Sequence, residues 1–309
     1  MTRITGLFLS LIVLLTACNK VTYRKTKGGM PYQVFKGDGK QKIMPGDIVK
    51  YHVTYKIKDS IWYSSFNLPP SYTRTGNPMP YDVSELWTSL AVGDSLVTIQ
   101  MLDTFIKRAP NEVPKQFKKG ERLITYVKVL GVLKGDSAVR ADAEKEQKNQ
   151  LNREIASLEK FLAEKNIKAQ KTPAGALVQI INPGTGDLID SGNYVYVKYT
   201  GTTMSGKRFD SNIDPAFMHT DPLTFTVGSP QMVKGFDEPM LFLRKGASAK
   251  VYVPSMVAYG ARPDPTSGIK PYENLVFDLT VIDVKDKAPA EIAPLQKTLP
   301  KIDSTQQRN

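Results

Sequence analysis

Residues 194–199 read YVYVKY, and residues 48–55 read IVKYHVTY. Both stretches are rich in β-branched and aromatic residues, which predicts β-strands. A glycine turn precedes each one, with Gly46 before the first and Gly192 before the second, 146 positions later. We interpret the two stretches as equivalent strands of an internal repeat.

The repeat extends in both directions from these strands. Thr26 and Thr172 are also 146 positions apart, whereas Leu90 and Leu243 are 153 positions apart, so the second copy contains a small insertion. The chain of 309 residues therefore divides into two domains, residues 26–135 and 171–286.

Each copy is predicted to be α+β. Gly- and Pro-bearing loops separate short strands without a βαβ rhythm, which indicates an antiparallel sheet. Phe236, Met240 and Leu243 fall at helical spacing, so one short helix is expected in each copy, packed on its sheet.

A long helix is predicted to join the domains within a linker at residues 136–170. Residues 138–166 contain no Pro or Gly and carry a stripe of apolar residues at helical spacing: Leu151, Ile155, Leu158 and Leu162. The stripe could dock on one of the chain's own domains or pair with a second chain, so a homodimer is possible.

The N-terminal segment has the parts of a secretory signal peptide at residues 1–17. A cation, Arg3, precedes a short apolar run, and Leu15-Thr16-Ala17-Cys18 resembles the lipobox of bacterial lipoproteins. The resemblance implies a lipid on Cys18, a tether over residues 18–25, and a partner in the lipid bilayer. We expect a cell-envelope location, on the outer membrane and facing the periplasm. Residues 287–309 carry three prolines and are predicted to be a disordered tail.

The composition excludes several classes of protein. One Cys and two His leave no intramolecular disulfide and no Cys- or His-rich metal cluster, and we expect no cofactor. The net charge of +12 could favour nucleic acid, but a secreted chain lacks access to it, so no nucleic-acid partner is expected.

The second copy carries motifs in a recognisable order: Val197-Lys198-Tyr199-Thr200-Gly201, Gly206-Lys207-Arg208-Phe209-Asp210-Ser211, Val233-Lys234-Gly235-Phe236-Asp237, and Val257-Ala258-Tyr259-Gly260. Together with Phe277 these closely resemble FKBP-type peptidyl-prolyl cis-trans isomerases across residues 171–286. The resemblance implies two FKBP-like domains, each an antiparallel half-barrel around a short helix. It also implies isomerase activity on Xaa-Pro bonds of proline-containing polypeptide clients.

The resemblance also implies roles for individual residues. Six would be catalytic: Tyr199, Phe209, Asp210, Phe236, Tyr259 and Phe277. Phe236 would form the floor, Asp210 a polar wall bonded to Tyr199, and Tyr259 a hydrogen bond to the peptide. Four would bind substrate: Leu223, Met232, Val233 through its N–H, and Ile269 in a flap.

The sequence departs from the most active family members at three of these positions. Phe236 replaces Trp, Met232 replaces Val, and Leu223 stands where an aromatic residue is common. Reduced activity is therefore expected, and the alternative is a weakly catalytic or non-catalytic chaperone module.

The first copy has lost the motifs. The repeat offset places Tyr63-Ser64 at Phe209-Asp210, and Pro80, or with a one-residue shift Tyr81, at Val233. A proline there has no N–H to bind a carbonyl. We interpret residues 26–135 as a degenerate FKBP-like domain that binds clients or mediates dimerisation.

Overall fold

The computed structural model describes residues 22–108, 111, 113 and 117–289. The predicted signal peptide, residues 18–21 of the tether including Cys18, and residues 290–309 of the predicted tail lie outside these residues. The chain divides into two compact units between Asp142 and Ala143. In the described part of the chain, no helix has both the length and the apolar composition required to span a bilayer.

The first unit contains one antiparallel sheet of seven strands. These are β1 (Arg24–Lys25), β2 (Pro31–Phe35), β3 (Ile48–Ile57), β4 (Ser60–Ser64), β5 (Ser71–Arg74), β6 (Ser95–Met101) and β7 (Arg122–Leu133). Their order is β1-β2-β6-β7-β3-β4, and β5 also pairs with β3.

The second unit contains a second antiparallel sheet of seven strands. These are β8 (Gln170–Lys171), β9 (Leu177–Asn182), β10 (Tyr194–Thr203), β11 (Arg208–Ser211), β12 (Leu223–Thr226), β13 (Ser248–Val253) and β14 (Leu275–Lys285). Their order is β8-β9-β13-β14-β10-β11, and β12 also pairs with β10.

The two sheets have the same topology and share a register irregularity in their long central ladder. Each strand of the first sheet has its counterpart seven numbers later in the second. The register shift between Lys50 and Tyr51 in β3 recurs between Tyr196 and Val197 in β10, at the offset of 146 read from the sequence. The predicted α+β class with two antiparallel sheets is confirmed.

One predicted equivalence between the copies is wrong by one residue. Thr54 Oγ1 lies 2.8 Å from Ser64 Oγ, and the equivalent Thr200 Oγ1 lies 2.9 Å from Ser211 Oγ. The second hairpin contains one more residue between its paired positions than the first. Trp62 and Tyr63 therefore occupy the places of Phe209 and Asp210, and Ser64 that of Ser211.

The helices are shorter than the apolar spacing predicted. In the second unit α3 (Lys234–Asp237) is one α-helical turn that continues as a 3₁₀ turn over Glu238–Phe242. Pro239, which cannot donate a backbone hydrogen bond, lies in this second turn. The described part of the first unit has two 3₁₀ turns at the equivalent place, Val83–Glu85 and Trp87–Ser89, so the helix predicted there is absent. An α-helix, α1 (Leu102–Arg108), follows β6 instead.

The predicted linker helix is present as α2 (Asp136–Glu164), and the division between the units falls inside it. Leu158 and Leu162 are buried against Leu177, Tyr252 and Val276 of the second unit. Of the two alternatives for the apolar stripe, docking on the chain's own domain is the one observed.

A buried carboxylate fixes α2 to the second unit. Glu154 is 5% exposed, and its Oε1 accepts hydrogen bonds from Ser255 Oγ at 2.7 Å and from Gln150 Nε2 at 2.8 Å. Its Oε2 accepts from the backbone N–H of Met256 at 3.1 Å. Because a buried carboxylate needs such donors, Glu154 and the chain around Ser255 stabilise one another.

We expect Glu154→Ala to lower the free energy of unfolding of the second unit. The substitution leaves the buried Ser255 hydroxyl and Met256 N–H without an acceptor, at a cost of about 1–3 kcal/mol. Glu144→Ala, at an exposed position of the same helix, is the matched control and should change stability by less than about 0.5 kcal/mol. Chemical denaturation followed by circular dichroism measures both, and equal effects would contradict the anchoring role of Glu154.

Candidate functional site

Eight side chains of the second unit converge on one pocket between α3 and the sheet. They come from β10, β11, β12, β14, the start of α3 and the loop after β13: Tyr199, Asp210, Leu223, Met232, Val233, Phe236, Tyr259 and Phe277. The alternation of side chains along a β-strand decides which strand residues face the pocket. In β10, Val195, Val197 and Tyr199 alternate with less buried neighbours, so Tyr199 faces the core.

An aromatic cluster forms the base of the pocket. The Phe236 and Phe277 rings meet edge-to-face with centroids 5.1 Å apart, and Tyr199 packs on Phe236 at 5.6 Å in the same way. Phe209 adds a third edge-on contact with Phe277 at 5.7 Å. Phe236 is 2% exposed and Phe277 3%. Edge-to-face packing of buried rings fixes their orientation, so the base of the pocket is rigid and apolar.

A close approach of ring and backbone makes this cluster possible. Gly201 pairs with Asp210 across the β10–β11 ladder. A Cβ atom at Gly201 would lie 2.6 Å from Cζ of Phe209 and 3.1 Å from Cε1 of Phe277. Only glycine lets both rings lie against the strand.

One wall of the pocket is polar. The Tyr199 hydroxyl donates to Asp210 Oδ2 at 2.6 Å, and His219 Nε2 lies 2.8 Å from Asp210 Oδ1. Because an ionised carboxylate only accepts hydrogen bonds, His219 donates through Nε2. Burial, followed by the hydrogen bond to Asp210, holds the pKa of Tyr199 above its ordinary value. The contacts with Tyr199 and His219 hold one oxygen of Asp210 each, and together they fix the position of the carboxylate.

Tyr259 reaches the pocket from the loop after β13. This loop begins with the 3₁₀ turn Ser255–Val257, the same segment whose backbone and hydroxyl bind Glu154. Burial, followed by the charge of Asp210, raises the pKa of Tyr259 to about 12. Its hydroxyl is therefore protonated at neutral pH and able to donate a hydrogen bond.

Val233 presents a backbone donor at the pocket. It is the N-cap residue of α3, with φ −65° and ψ 143°, and no hydrogen bond from its N–H is found among the described residues. An N–H at the start of a helix has no partner within the helix. A carbonyl oxygen entering the pocket can accept from it.

The pocket is nearly closed. Its volume is about 10 Å³, roughly the space that a single water needs. A proline ring is larger, so its entry requires side chains at the mouth to move. Met232, partly buried, is unbranched and has the flexibility for this.

The structure brings together eight of the ten residues for which the sequence predicted a catalytic or binding role. The other two, Phe209 and Ile269, do not line the pocket. Phe209 supports it through Phe277 and Tyr259, and Ile269, 8% exposed, is buried in the same core. Among the described residues, no group of three or more His, Cys, Asp or Glu side chains is placed to share a metal ion.

The sequence did not predict two contributors to this region. His219 contacts Asp210 from the loop between β11 and β12, and Glu154 holds the segment that precedes Tyr259. A lone histidine in a loop has no periodicity to mark it. Glu154 is one of many charges on a Glu- and Lys-rich helix, so its burial is visible only in three dimensions.

An antiparallel sheet packed on a short helix encloses an aromatic pocket with two hydrogen-bond donors, and an apolar pocket with a few convergent polar groups is typical of a ligand site. The family model for FKBP-type peptidyl-prolyl cis-trans isomerases matches residues 186–282, inside the second unit. The chain belongs to the FKBP family of peptidyl-prolyl cis-trans isomerases.

Individual relatives extend this finding. The FK506-binding protein of Neisseria meningitidis serogroup B is 32% identical over 110 residues, which is 96% of that protein and 36% of this chain. The FKBP-type isomerase FkpA of Escherichia coli K12 is 33% identical over 136 residues, 44% of this chain and 47% of FkpA. The chain thus spans about half the length of that relative.

Solved structures of similar proteins include a peptidyl-prolyl cis-trans isomerase from Pseudomonas syringae. It has 28% sequence identity and a TM-score of 0.35, and the match covers 43% of this chain and 94% of the other. The crystal structure of Escherichia coli FkpA has 26% identity and a TM-score of 0.36, covering 48% of this chain and 68% of the other.

We expect the second unit to lose stability in alkali. The pKa of Tyr259 is about 12 in the folded chain and 10.0 ordinarily, so its contribution is complete below pH 10 and declines as the pH rises towards 12. Tyr259→Phe should reduce this decline, because phenylalanine does not ionise. Tyr196→Phe, outside the pocket, is the control and should retain the decline. Thermal unfolding followed by circular dichroism between pH 9 and 11.5 measures the effect, and identical profiles for the two variants would contradict it.

Proposed function

We propose that the second unit catalyses cis-trans isomerisation of Xaa-Pro peptide bonds in polypeptide clients. The observation that carries the proposal is the convergence of an aromatic base, two hydrogen-bond donors and a fixed carboxylate on one pocket. Family membership supports the same reaction.

The chemistry suits a site without a nucleophile or a metal ion. Rotation about the amide bond loses C–N conjugation at a barrier of about 18–20 kcal/mol. The twisted amide separates less charge than the planar one, so an apolar pocket favours it relative to the planar amide. Phe236 and Phe277 supply this surface, with the proline ring resting on Phe236.

The donors orient the peptide around the rotating bond. The Val233 N–H would bind one substrate carbonyl, and the Tyr259 hydroxyl a second. Holding the chain on both sides of the proline restricts the rotation to one bond.

Asp210 acts by position rather than by proton transfer in this proposal. Its two oxygens are held by the Tyr199 hydroxyl and by His219 Nε2, and rotation about an amide bond requires no proton to be removed. The carboxylate fixes the polar wall, and the reaction moves no protons.

An isomerase assay on the full chain tests the proposal. A protease-coupled or NMR exchange measurement on Xaa-Pro peptides should show a rate above the uncatalysed one. Tyr259→Phe should lower kcat/KM by about tenfold, the value of one hydrogen bond made in the transition state. Tyr196→Phe removes a tyrosine hydroxyl elsewhere in the same unit and should leave kcat/KM unchanged. No rate above background for the unmodified chain would refute the proposal.

A second candidate function is a chaperone module with little or no catalysis. The nearly closed pocket, together with Phe236, Met232 and Leu223 at the three divergent positions, favours it. Under this function the chain would suppress aggregation of an unfolded protein, and Tyr259→Phe would leave that suppression unchanged.

We propose the domain organisation that the sequence predicts: residues 26–135 as a degenerate FKBP-like domain, residues 136–170 as a helical linker and residues 171–286 as the isomerase domain. We further propose that residues 1–17 are a signal peptide and that acylated Cys18 anchors the chain to the outer membrane, facing the periplasm. The lipobox-like residues 15–18 behind an apolar run support this. Envelope proteins would then be the clients.

Cys18→Ser tests the anchor. In a bacterial host with the lipoprotein pathway, the unmodified chain should incorporate a labelled fatty acid and partition into detergent. The Cys18→Ser chain should do neither, because it has no other thiol. Incorporation of the label into Cys18→Ser would overturn the assignment.

A further inference from the structure

The first unit contains a cavity of about 660 Å³, far larger than the aromatic pocket of the second unit. This volume falls within the range of about 300–1,000 Å³ typical of ligand sites. Aromatic side chains from the sheet, a 3₁₀ turn, α1 and the chain before β7 line much of it: Tyr51, Tyr55, Trp62, Trp87, Phe105 and Phe117.

Structural equivalence explains why this cavity is open. The backbone N–H of Gly28 donates to Glu85 Oε2 at 2.7 Å, and that of Ala174 donates to Glu238 Oε2 at 2.6 Å, so the two glutamates are counterparts. Val83 and Phe236 each lie two residues before the glutamate of their own unit, so they are equivalent.

The sheet shows the same loss of aromatic volume. Val53 is equivalent to Tyr199 at the offset of 146. Thr125 on β7 is equivalent to Phe277 on β14, because the two strands pair in the same register with β3 and β10. A valine or threonine at each position leaves the space that a ring fills in the second unit. The cavity therefore follows from three substitutions.

The cavity lacks the donor that the isomerase pocket uses. The same count from Glu85 and Glu238 pairs Pro80 with Val233, and proline has no N–H. The Pro80 carbonyl accepts from Arg108 Nη2 at 3.0 Å. A different mode of recognition is therefore expected.

The mouth of the cavity lies at a sheet edge. β4 is the terminal strand of its sheet and pairs only with β3 among the described strands. Trp62, on β4, lines the cavity while remaining 51% exposed, and its neighbour Ile61 is 66% exposed. An open edge strand offers backbone hydrogen bonds to an extended chain, and exposed apolar residues mark a contact surface.

We propose that the first unit binds an extended apolar polypeptide segment and that it needs no proline. The segment would add to the β4 edge and insert one aromatic or large aliphatic side chain into the cavity. The open strand edge favours a polypeptide over a small molecule, which would use the cavity alone. This site is separate from the isomerase pocket, so it can operate whether or not the second unit is catalytic.

The chain carries its own reporter for this site. Its two tryptophans, Trp62 and Trp87, both line the cavity, so intrinsic tryptophan fluorescence responds to the first unit. The probe is a ten-residue β-forming peptide without Trp or Pro and with one central Phe, titrated into the full chain. We expect a saturable change in emission. The same peptide with Ala in place of Phe should bind about tenfold more weakly, because the anchor side chain is lost.

Filling the cavity should abolish this response. Val83→Phe restores the ring found at Phe236 and should raise Kd by about tenfold or more. Thr88→Phe adds the same ring at an exposed position of the neighbouring 3₁₀ turn, outside the cavity, and should leave Kd within about twofold. Thermal unfolding verifies that both variants fold.

A second variant covers the case in which Val83→Phe does not fold. Trp62→Ala removes a half-exposed side chain at the mouth and should weaken peptide binding while Trp87 still reports. Equal peptide affinity for the unmodified chain and Trp62→Ala, or for Val83→Phe and Thr88→Phe, would overturn the proposal. So would a change in emission on adding a small aromatic amphiphile such as anilinonaphthalene sulfonate but none with the peptide, since the cavity would then be a small-molecule site.

Discussion

The edge-to-face contact between Phe236 and Phe277 decides what each half of this chain can do. In the second unit it joins the short helix to the sheet at 5.1 Å and closes the space between them. In the first unit, Val83 and Thr125 hold the equivalent positions, and the space stays open. With the ring of Tyr199, which Val53 replaces, this pair of rings separates a nearly closed pocket of about 10 Å³ from a cavity of about 660 Å³ on the same topology.

The strand framework tolerates this difference because it is held by other interactions. The ladders β3–β7 and β10–β14 have the same register shift, and the Thr54–Ser64 and Thr200–Ser211 hydroxyl pairs repeat on the adjacent hairpins. Backbone pairing therefore fixes each sheet independently of what fills the space beside it. Rings could be lost from the first copy without loss of its topology.

Much of the fold was predictable because strand and repeat signals are local. The alternation along β10 and the uninterrupted helix α2 lie within short windows of sequence, and the 146-residue offset appears when two such windows are compared. The errors arose where a single residue matters. One extra residue in the second hairpin moved Trp62 and Tyr63 into the places predicted for Tyr63 and Ser64, and Pro239 shortened the helix to a single α-helical turn.

The site was predictable for residues in motifs and unpredictable for residues that act across the fold. Tyr199, Asp210 and Tyr259 lie in strings that the family resemblance marks, and the folded chain brings them together. His219 and Glu154 reach the same region from a loop and from the linker helix, and neither lies in a motif.

Glu154 gives the linker helix a part in the geometry of the site. Its carboxylate binds the hydroxyl of Ser255 and the N–H of Met256, three to four residues before Tyr259. The loop that carries Tyr259 thus depends on a helix outside residues 186–282, the span that the family model matches. A chain cut to those residues would keep the pocket-lining side chains and lose the carboxylate that fixes the segment before one of them. The geometry around Tyr259 therefore rests in part on α2, which precedes both the residues matched by the family model and the proposed isomerase domain at residues 171–286.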